Sequence, residues 1–339
     1  MSLRRTVDGQ QLNPILAGLA PAATALLSFT VRHPTAATLK VLDANFAVLT
    51  ANQRTAAPVR ELTVSGADGA TLAARLYEPD GLEPEPALLV YYHGGGWTVG
   101  SLDSHQNLCR AIAARARCKV LAIGYRKAPK DRFPAAWADA CAAFGWALDN
   151  AAALGVDRAR IAVGGDSAGG NLAAAVALAA EDPARRPCFA WLNYPLVDAD
   201  VDEYPSTHTF GTGLILTRQN LRDMVHHYVP RPAQQLDPRV SMIHSEVLDR
   251  MPPTYISTAG MDPLRDQGTR FAERLRAAGV EVRLENFPNL PHAFQVLLID
   301  PESRRATEAT CDVLARALAV KPAGQPEVST QPSAAPPRP

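Results

Sequence analysis

Short apolar runs alternate with longer mixed segments along most of this chain. Val59–Ser65 and Thr71–Glu78 are read as strands, and Ala67-Asp68-Gly69 between them is a turn signal. These two segments are expected as a hairpin. Leu88–Tyr92 and Lys119–Ile123 are short apolar runs of the kind found in buried strands, and Arg160–Val163, Cys188–Asn193, Thr254–Thr258 and Val280–Glu285 are read as further strands. Between them lie stretches of helical length: Leu102–Arg115, Ala135–Ala153, Ala168–Ala180, Pro263–Ala277 and Glu302–Ala317. Pro134 stands where a helix start loses nothing by lacking an N–H, and Gly279 stands where a helix stops.

Strands alternating with helices of this length predict an α/β fold with a mostly parallel central sheet covered by helices on both faces. The interval 198–251 breaks the rhythm. It holds loops, the prolines Pro230, Pro232 and Pro238, and one expected helix, Thr217–Tyr228. It is read as a cap insertion in a catalytic domain spanning residues 56–320. Residues 1–55 are rich in Ala and Leu and are expected as an N-terminal helical cap segment. Residues 321–339 are rich in Pro and Ala and have almost no large apolar side chain, so disorder is expected there.

Composition narrows the function classes. The chain has 339 residues, 34 Lys plus Arg against 34 Asp plus Glu, and hence no net charge to steer it toward nucleic acid or an anionic membrane. Its five cysteines are scattered, odd in number and without CxxC spacing, which argues against a disulfide framework and a zinc site and suits a reducing cytoplasm. The apolar stretch Ile15–Val31 follows Arg4 and Arg5, as in a secretory signal. Asp8, Gln10, Gln11 and Asn13 intervene, and Pro14 and Pro21 interrupt the run, so it is read as part of the cap and as too short and broken for a membrane span.

The chemistry-bearing residues follow strands directly, where ligands bind in such folds. Gly165-Asp166-Ser167-Ala168-Gly169 fits G-x-S-x-G between a strand and a helix. A sharp turn there lifts Ser167 clear of the sheet, and its neighbours must be small because other segments pass close by. No Gly-Lys-Ser/Thr follows, and the glycine spacing does not fit a dinucleotide loop. His93-Gly94-Gly95-Gly96-Trp97 follows Leu88–Tyr92 and fits an oxyanion-hole loop, whose backbone N–H groups must face a developing negative charge without obstructing side chains. Gly94, Gly95 and Ala168 are the expected donors. His93 is expected to orient the loop, and Trp97 to pack or wall the pocket.

A serine hydroxyl needs an imidazole to take its proton and a carboxylate to hold that imidazole. In this arrangement the acid and then the histidine follow the serine in the chain. His292 lies in a loop five to seven residues past an expected strand, whereas His208, His226, His227 and His244 lie in the insertion, and His244 is the distant second choice. Asp262 follows the strand at Thr254–Thr258 and opens a helix; it fits a helix cap equally well, and only its place between Ser167 and His292 selects it. Asp266 is the alternative acid, and Asp166 is expected to brace the serine turn.

With these residues in view, the chain resembles the bacterial hormone-sensitive-lipase family of esterases. The resemblance rests on the glycine loop at 93–97, the serine turn at 165–170, Asp262-Pro263-Leu264-Arg265-Asp266, Pro291-His292-Ala293-Phe294, and Tyr125-Arg126-Lys127-Ala128-Pro129 with Phe133-Pro134-Ala135-Ala136. It covers about residues 60–320. It implies an α/β-hydrolase fold, a cap built partly from the N-terminus, and cofactor-free hydrolysis of short- to medium-chain carboxylic esters. It places catalysis on Ser167, Asp262 and His292 and oxyanion binding on Gly94, Gly95 and Ala168. The family often forms dimers, so a homodimer is compatible with it. Two positions depart from the family pattern: Lys130, where an acidic residue is usual, and Ala293, where glycine is usual. The same machinery serves an amidase or a dedicated deacetylase, and the family also resembles receptors that bind small ligands but lack the histidine.

Overall fold

A computed structural model describes residues 6–7, 10–50 and 57–319. The expected disorder at 321–339 therefore lies outside the described residues. In chain order the main elements are α1 (Pro14–Arg32), α2 (Ala36–Leu49), β1 (Val59–Ser65), β2 (Thr71–Tyr77), β3 (Leu88–Tyr92), α3 (Gln106–Ala116), β4 (Lys119–Ile123) and α4 (Ala135–Asp149). They continue with β5 (Ile161–Asp166), α5 (Ala168–Ala179), β6 (Ala190–Asn193), α6 (Pro205–Phe210), α7 (Arg218–Tyr228), β7 (Thr254–Met261), α8 (Arg265–Ala277), β8 (Val282–Pro291) and α9 (Pro301–Ala319).

The eight strands form one sheet in the order β8-β7-β6-β5-β3-β4-β2-β1. β1 and β2 form the expected antiparallel hairpin, β2 pairs antiparallel with β4, and all other pairs are parallel. The chain reverses its direction of travel across the sheet between β3 and β5, which opens a crevice at their carboxyl ends. Both faces of the sheet are buried. Leu88, Val90 and Tyr92 of β3 pack into one apolar cluster with α4, α5 and α8. Leu89 and Tyr91 point the other way, into a second cluster with α3 and α9. The period-2 alternation of a strand thus serves two cores.

Several boundaries differ from expectation. The Ala-rich helix after Pro134 stops at Asp149, and a separate short turn of helix covers Ala151–Leu154. β8 runs through Pro288 to Pro291, so His292 follows it at once and not after a loop. β8 is an edge strand, where a missing backbone donor costs least. α1 is one continuous helix of 19 residues that passes through Pro21, so the expectation of a short, broken run is corrected. Asn13 caps it by accepting the Leu16 N–H, and Pro14 occupies the first position.

By length and composition α1 could cross a membrane. In this fold it is docked on the protein. Leu16, Ala20, Leu27, Thr30 and Val31 are buried. Asn13 Nδ2 donates to Asp300 Oδ1 at 2.7 Å, and Ser28 pairs with Asn220 on α7. From 198 to 251 the chain carries α6, α7 and a short helix at Pro232–Gln235. Leu216, Leu221 and Met224 of that interval join Leu27 of α1 and Phe46 of α2 above the carboxyl ends of β3 and β5.

Candidate active site

Four loops leave the carboxyl ends of parallel strands and meet over the crevice. β5 delivers Ser167, β7 delivers Asp262, β8 delivers His292, and β3 delivers the glycine loop at 93–97. Ser167 has φ +54° and ψ −119°, a strained turn between β5 and α5 that pushes its side chain outward. The close quarters explain the small neighbours. A Cβ on Gly169 would lie 1.9 Å from the Tyr92 carbonyl oxygen, and one on Gly165 would lie 2.4 Å from the same atom. Gly169→Ala should destabilise the fold by on the order of 3 kcal/mol, because both clashing segments are backbone and neither can give way. A thermal melt checks this, and an unchanged Tm would contradict the packing.

Asp262, His292 and Ser167 form a continuous chain of hydrogen bonds. Asp262 Oδ2 accepts from His292 Nδ1 at 2.7 Å, and His292 Nε2 lies 2.9 Å from Ser167 Oγ. Asp262 is fully buried, while His292 and Ser167 keep a small exposed fraction at the crevice. Asp262 holds His292 with one carboxylate oxygen and the turn before α8 with the other. Its Oδ1 accepts the Leu264 N–H at 2.8 Å and fixes the turn, although α8 begins only at Arg265. The alternative acid, Asp266, is occupied elsewhere, by the Ser206 N–H and the Arg265 guanidinium. His244 lies 3.8 Å from Asp198, apart from the serine. The Tyr194 ring meets the His292 ring edge-on at 5.0 Å and limits its rotation.

The glycine loop brings a correction. The Gly94 N–H, expected to face the oxyanion, donates to Asp166 Oδ1 at 2.8 Å, so it is already committed. Asp166 also accepts from Tyr91 Oη at 2.6 Å and lies 3.4 Å from His105 Nε2. Burial alone would raise its carboxyl; His105, and then the bonds from Tyr91 and Gly94, outweigh that and hold it below the ordinary carboxylate range. Asp166 therefore braces the glycine loop as well as the serine turn. Gly95 has φ +116° and Gly96 φ +57°, backbone that an L-residue adopts with strain. Together with Gly94 they line the chamber in front of Ser167.

His93 does not line the chamber at Ser167. Its Nδ1 donates to the Gly94 carbonyl at 2.7 Å, its ring stacks on Tyr125 at 4.4 Å, and Tyr125 Oη donates to the His93 carbonyl at 2.7 Å. Burial first, then the charges of Lys127 and His105, pushes its pKa well below the ordinary value. Trp97 packs on Tyr228 at 4.5 Å. Ala293, where the family pattern has glycine, takes φ +63° and lines the chamber beside His292.

A pH dependence of stability follows. The unfolded chain protonates His93 near pH 6.5 and Asp166 near pH 3.9. Both groups have lowered values in the folded state, so the unfolded state binds the proton first. The His93 contribution is present above about pH 6.5 and is lost as pH falls toward its depressed folded value; that of Asp166 is lost lower still, below about pH 3.9. Thermal melts between pH 8 and 5 should show Tm falling below about pH 6.5, with a shallower slope in His93→Gln. Equal slopes in the two proteins would contradict a buried neutral His93.

Two chambers lie over the sheet. The one at Ser167 has a volume of about 50 Å³. A larger one of about 330 Å³ lies under α1 and α2. Leu27, Phe46, Ile215 and Ala293 line both. Leu27, Phe46 and Ile215 were not anticipated, and no local signal marks them, since their contacts join segments far apart in the chain.

This fold, with a sharp serine turn, a buried acid and a histidine at the ends of β5, β7 and β8, defines a hydrolase of the α/β class. A family model described as alpha/beta hydrolase fold matches residues 89–296. The chain belongs to that family, the α/β-hydrolases related to hormone-sensitive lipase. Among curated relatives, an ethyl acetate hydrolase of Pseudomonas putida is 42% identical over 242 residues, 70% of this chain and 75% of that protein. The carboxylesterase NlhH of Mycobacterium tuberculosis is 40% identical over 266 residues, 77% of this chain and 83% of that one. Among solved structures, an ester-hydrolase from the metagenome of Lake Arreo, complexed with a bipyridine phosphonate derivative, superposes with a TM-score of 0.84 at 33% identity. That match covers 91% of this chain and all of the other.

Proposed function

We propose that the chain is a serine carboxylesterase acting on short- to medium-chain esters, with Ser167 as nucleophile, His292 as general base and acid, and Asp262 as the group that holds His292. The observation that carries this is the pair of contacts on His292, 2.7 Å to Asp262 and 2.9 Å to Ser167, at the mouth of a chamber lined by the glycine loop. Relatives named as ester hydrolases support the reaction class.

In the first step His292 Nε2 takes the Ser167 proton as Oγ attacks the ester carbonyl. The carbonyl oxygen becomes an oxyanion, which the Gly95, Gly96 and Ala168 N–H groups receive; Gly94 is set aside as a donor because Asp166 already holds it. The imidazolium, stabilised by Asp262, gives its proton to the leaving alcohol, and an acyl-enzyme forms. Water, deprotonated by His292, then attacks the acyl carbon, and the proton returns to Ser167 as the acid leaves. The start of α5 beneath Ser167 adds the favourable end of a helix dipole.

The volume in front of Ser167 supports a compact acyl group. α1, α2 and the 198–251 interval serve in this reading as the cap. The odd number and scattered spacing of the five cysteines support a reducing compartment. The test is hydrolysis of p-nitrophenyl esters from acetyl to palmitoyl by wild type and Ser167→Ala. Ser167-dependent turnover that declines at long acyl chains is expected. Turnover of amides but of no ester would replace this assignment with an amidase.

A further inference from the structure

Leu27, Phe46, Ile215 and Ala293 line both chambers and form the boundary, or neck, between them, and one of these four is conformationally exceptional. Ile215 has φ +72°, a left-handed backbone that a β-branched side chain strongly avoids. The Leu216 N–H donates to the Leu214 carbonyl at 3.0 Å, which closes a three-residue turn with Ile215 at its centre. Turns of this hand are rare and strained. The Ile215 N–H donates to Thr24 Oγ1 on α1 at 2.9 Å, so a cap helix holds the turn in place. Glycine would take this backbone more easily but would leave the neck open. A strained residue held at a passage points from geometry to a role.

The larger chamber is apolar. Leu19, Ala23, Leu26 and Leu49 wall it, and among the described residues Asn45 is the one polar side chain on its lining. Its position relative to Ser167 is informative. His292 must hand its proton to the leaving oxygen, so the leaving alcohol lies on the His292 side of the serine. Ala293, next to His292, lines both chambers, and Leu297, one turn further on, lines the larger one. The alcohol arm of the ester is therefore the arm that points through the neck, while the acyl group stays in the small chamber.

We propose that Ile215 is a specificity-determining residue, which admits an unbranched apolar alcohol arm of medium length into the chamber beneath α1 and α2 and turns away branched arms. This rests on the esterase assignment above, and its substrate class is small-acyl esters of straight-chain alcohols.

The test compares kcat/KM for the acetates of ethanol, butanol, hexanol, octanol and 2-ethylhexanol in wild type, Ile215→Gly and Ala23→Phe, with ethyl esters of lengthening acids alongside. In wild type, kcat/KM should rise with alcohol length, by at most about fourfold per methylene buried, and the branched acetate should be poor. Ile215→Gly should raise the ratio of 2-ethylhexyl to ethyl acetate by about tenfold, a modest shape discrimination for an apolar pocket. Ala23→Phe, which fills the chamber from α1, should lower the octyl-to-ethyl ratio by about the same factor. Ratios within one protein do not depend on how much of it is folded. Calorimetric binding of 1-octanol, present in wild type and lost in Ala23→Phe, reads the chamber without turnover. Ratios unchanged in both variants, or a wild-type length preference that follows the acid and not the alcohol, would overturn the proposal. Octanol binding without ethyl acetate hydrolysis would instead overturn the esterase assignment, and hydrolysis without octanol binding would overturn the alcohol chamber alone.

Discussion

Ser167→Ala should lower kcat on a favoured ester by about a millionfold, as expected when the nucleophile of a serine–histidine–acid unit is lost. Stability should hardly change. Ser167 lies at a strained φ of +54°, and its backbone, not its side chain, makes the bonds to Asn193 and Asn171 that shape the turn. Alanine keeps those bonds. Binding of ester should also survive, because the glycine loop and both chambers remain. The measurement is single-turnover hydrolysis alongside a thermal melt, and a fall of less than about a hundredfold with Tm intact would show that another group attacks the ester.

Asp262→Asn should lower kcat by about ten thousandfold with little change in KM. The carboxylate accepts the His292 Nδ1 proton at 2.7 Å and so leaves Nε2 free to take the proton of Ser167. An amide that presents its NH₂ to Nδ1 favours the opposite tautomer, in which Nε2 carries the hydrogen and cannot act as a base. The amide oxygen can still accept the Leu264 N–H, so the turn before α8 should persist. A Tm within a few degrees of wild type, measured together with kcat, separates this effect from unfolding. A kcat within tenfold of wild type would transfer the role of Asp262 to another acid.

The parts of the site that were legible in the sequence share a physical cause. A turn that must pass under another backbone requires glycines at fixed positions, and Gly165 and Gly169 sit against the Tyr92 carbonyl as the spacing implied. The strand-then-residue placement of Ser167 and Asp262 was likewise readable, because each follows a short apolar run, whereas His292 was expected past a loop and follows β8 at once. What was not readable depends on contacts between distant segments. The commitment of the Gly94 N–H joins residues 72 positions apart. The neck joins the two N-terminal helices to Ile215 and Ala293. Local rules also misjudged two elements. The strand expected to end at Glu285 runs on through Pro288 to Pro291, at a sheet edge where a missing backbone donor costs least. Pro21 argued for a break, yet α1 passes it, held on both sides by buried Leu16, Ala20 and Leu27.

The central claim is that one hydroxyl, Ser167 Oγ, forms the covalent intermediate. A phosphonate ester probes it directly, since attack by the activated serine expels the leaving group and leaves a stable tetrahedral adduct in place of the acyl-enzyme. Intact-mass and peptide mapping after incubation should find one phosphonyl group per chain, on the peptide containing Ser167, with esterase activity lost in proportion and no adduct in Ser167→Ala. An adduct on another residue accompanied by loss of activity, or full activity with Ser167 fully modified, would contradict the account.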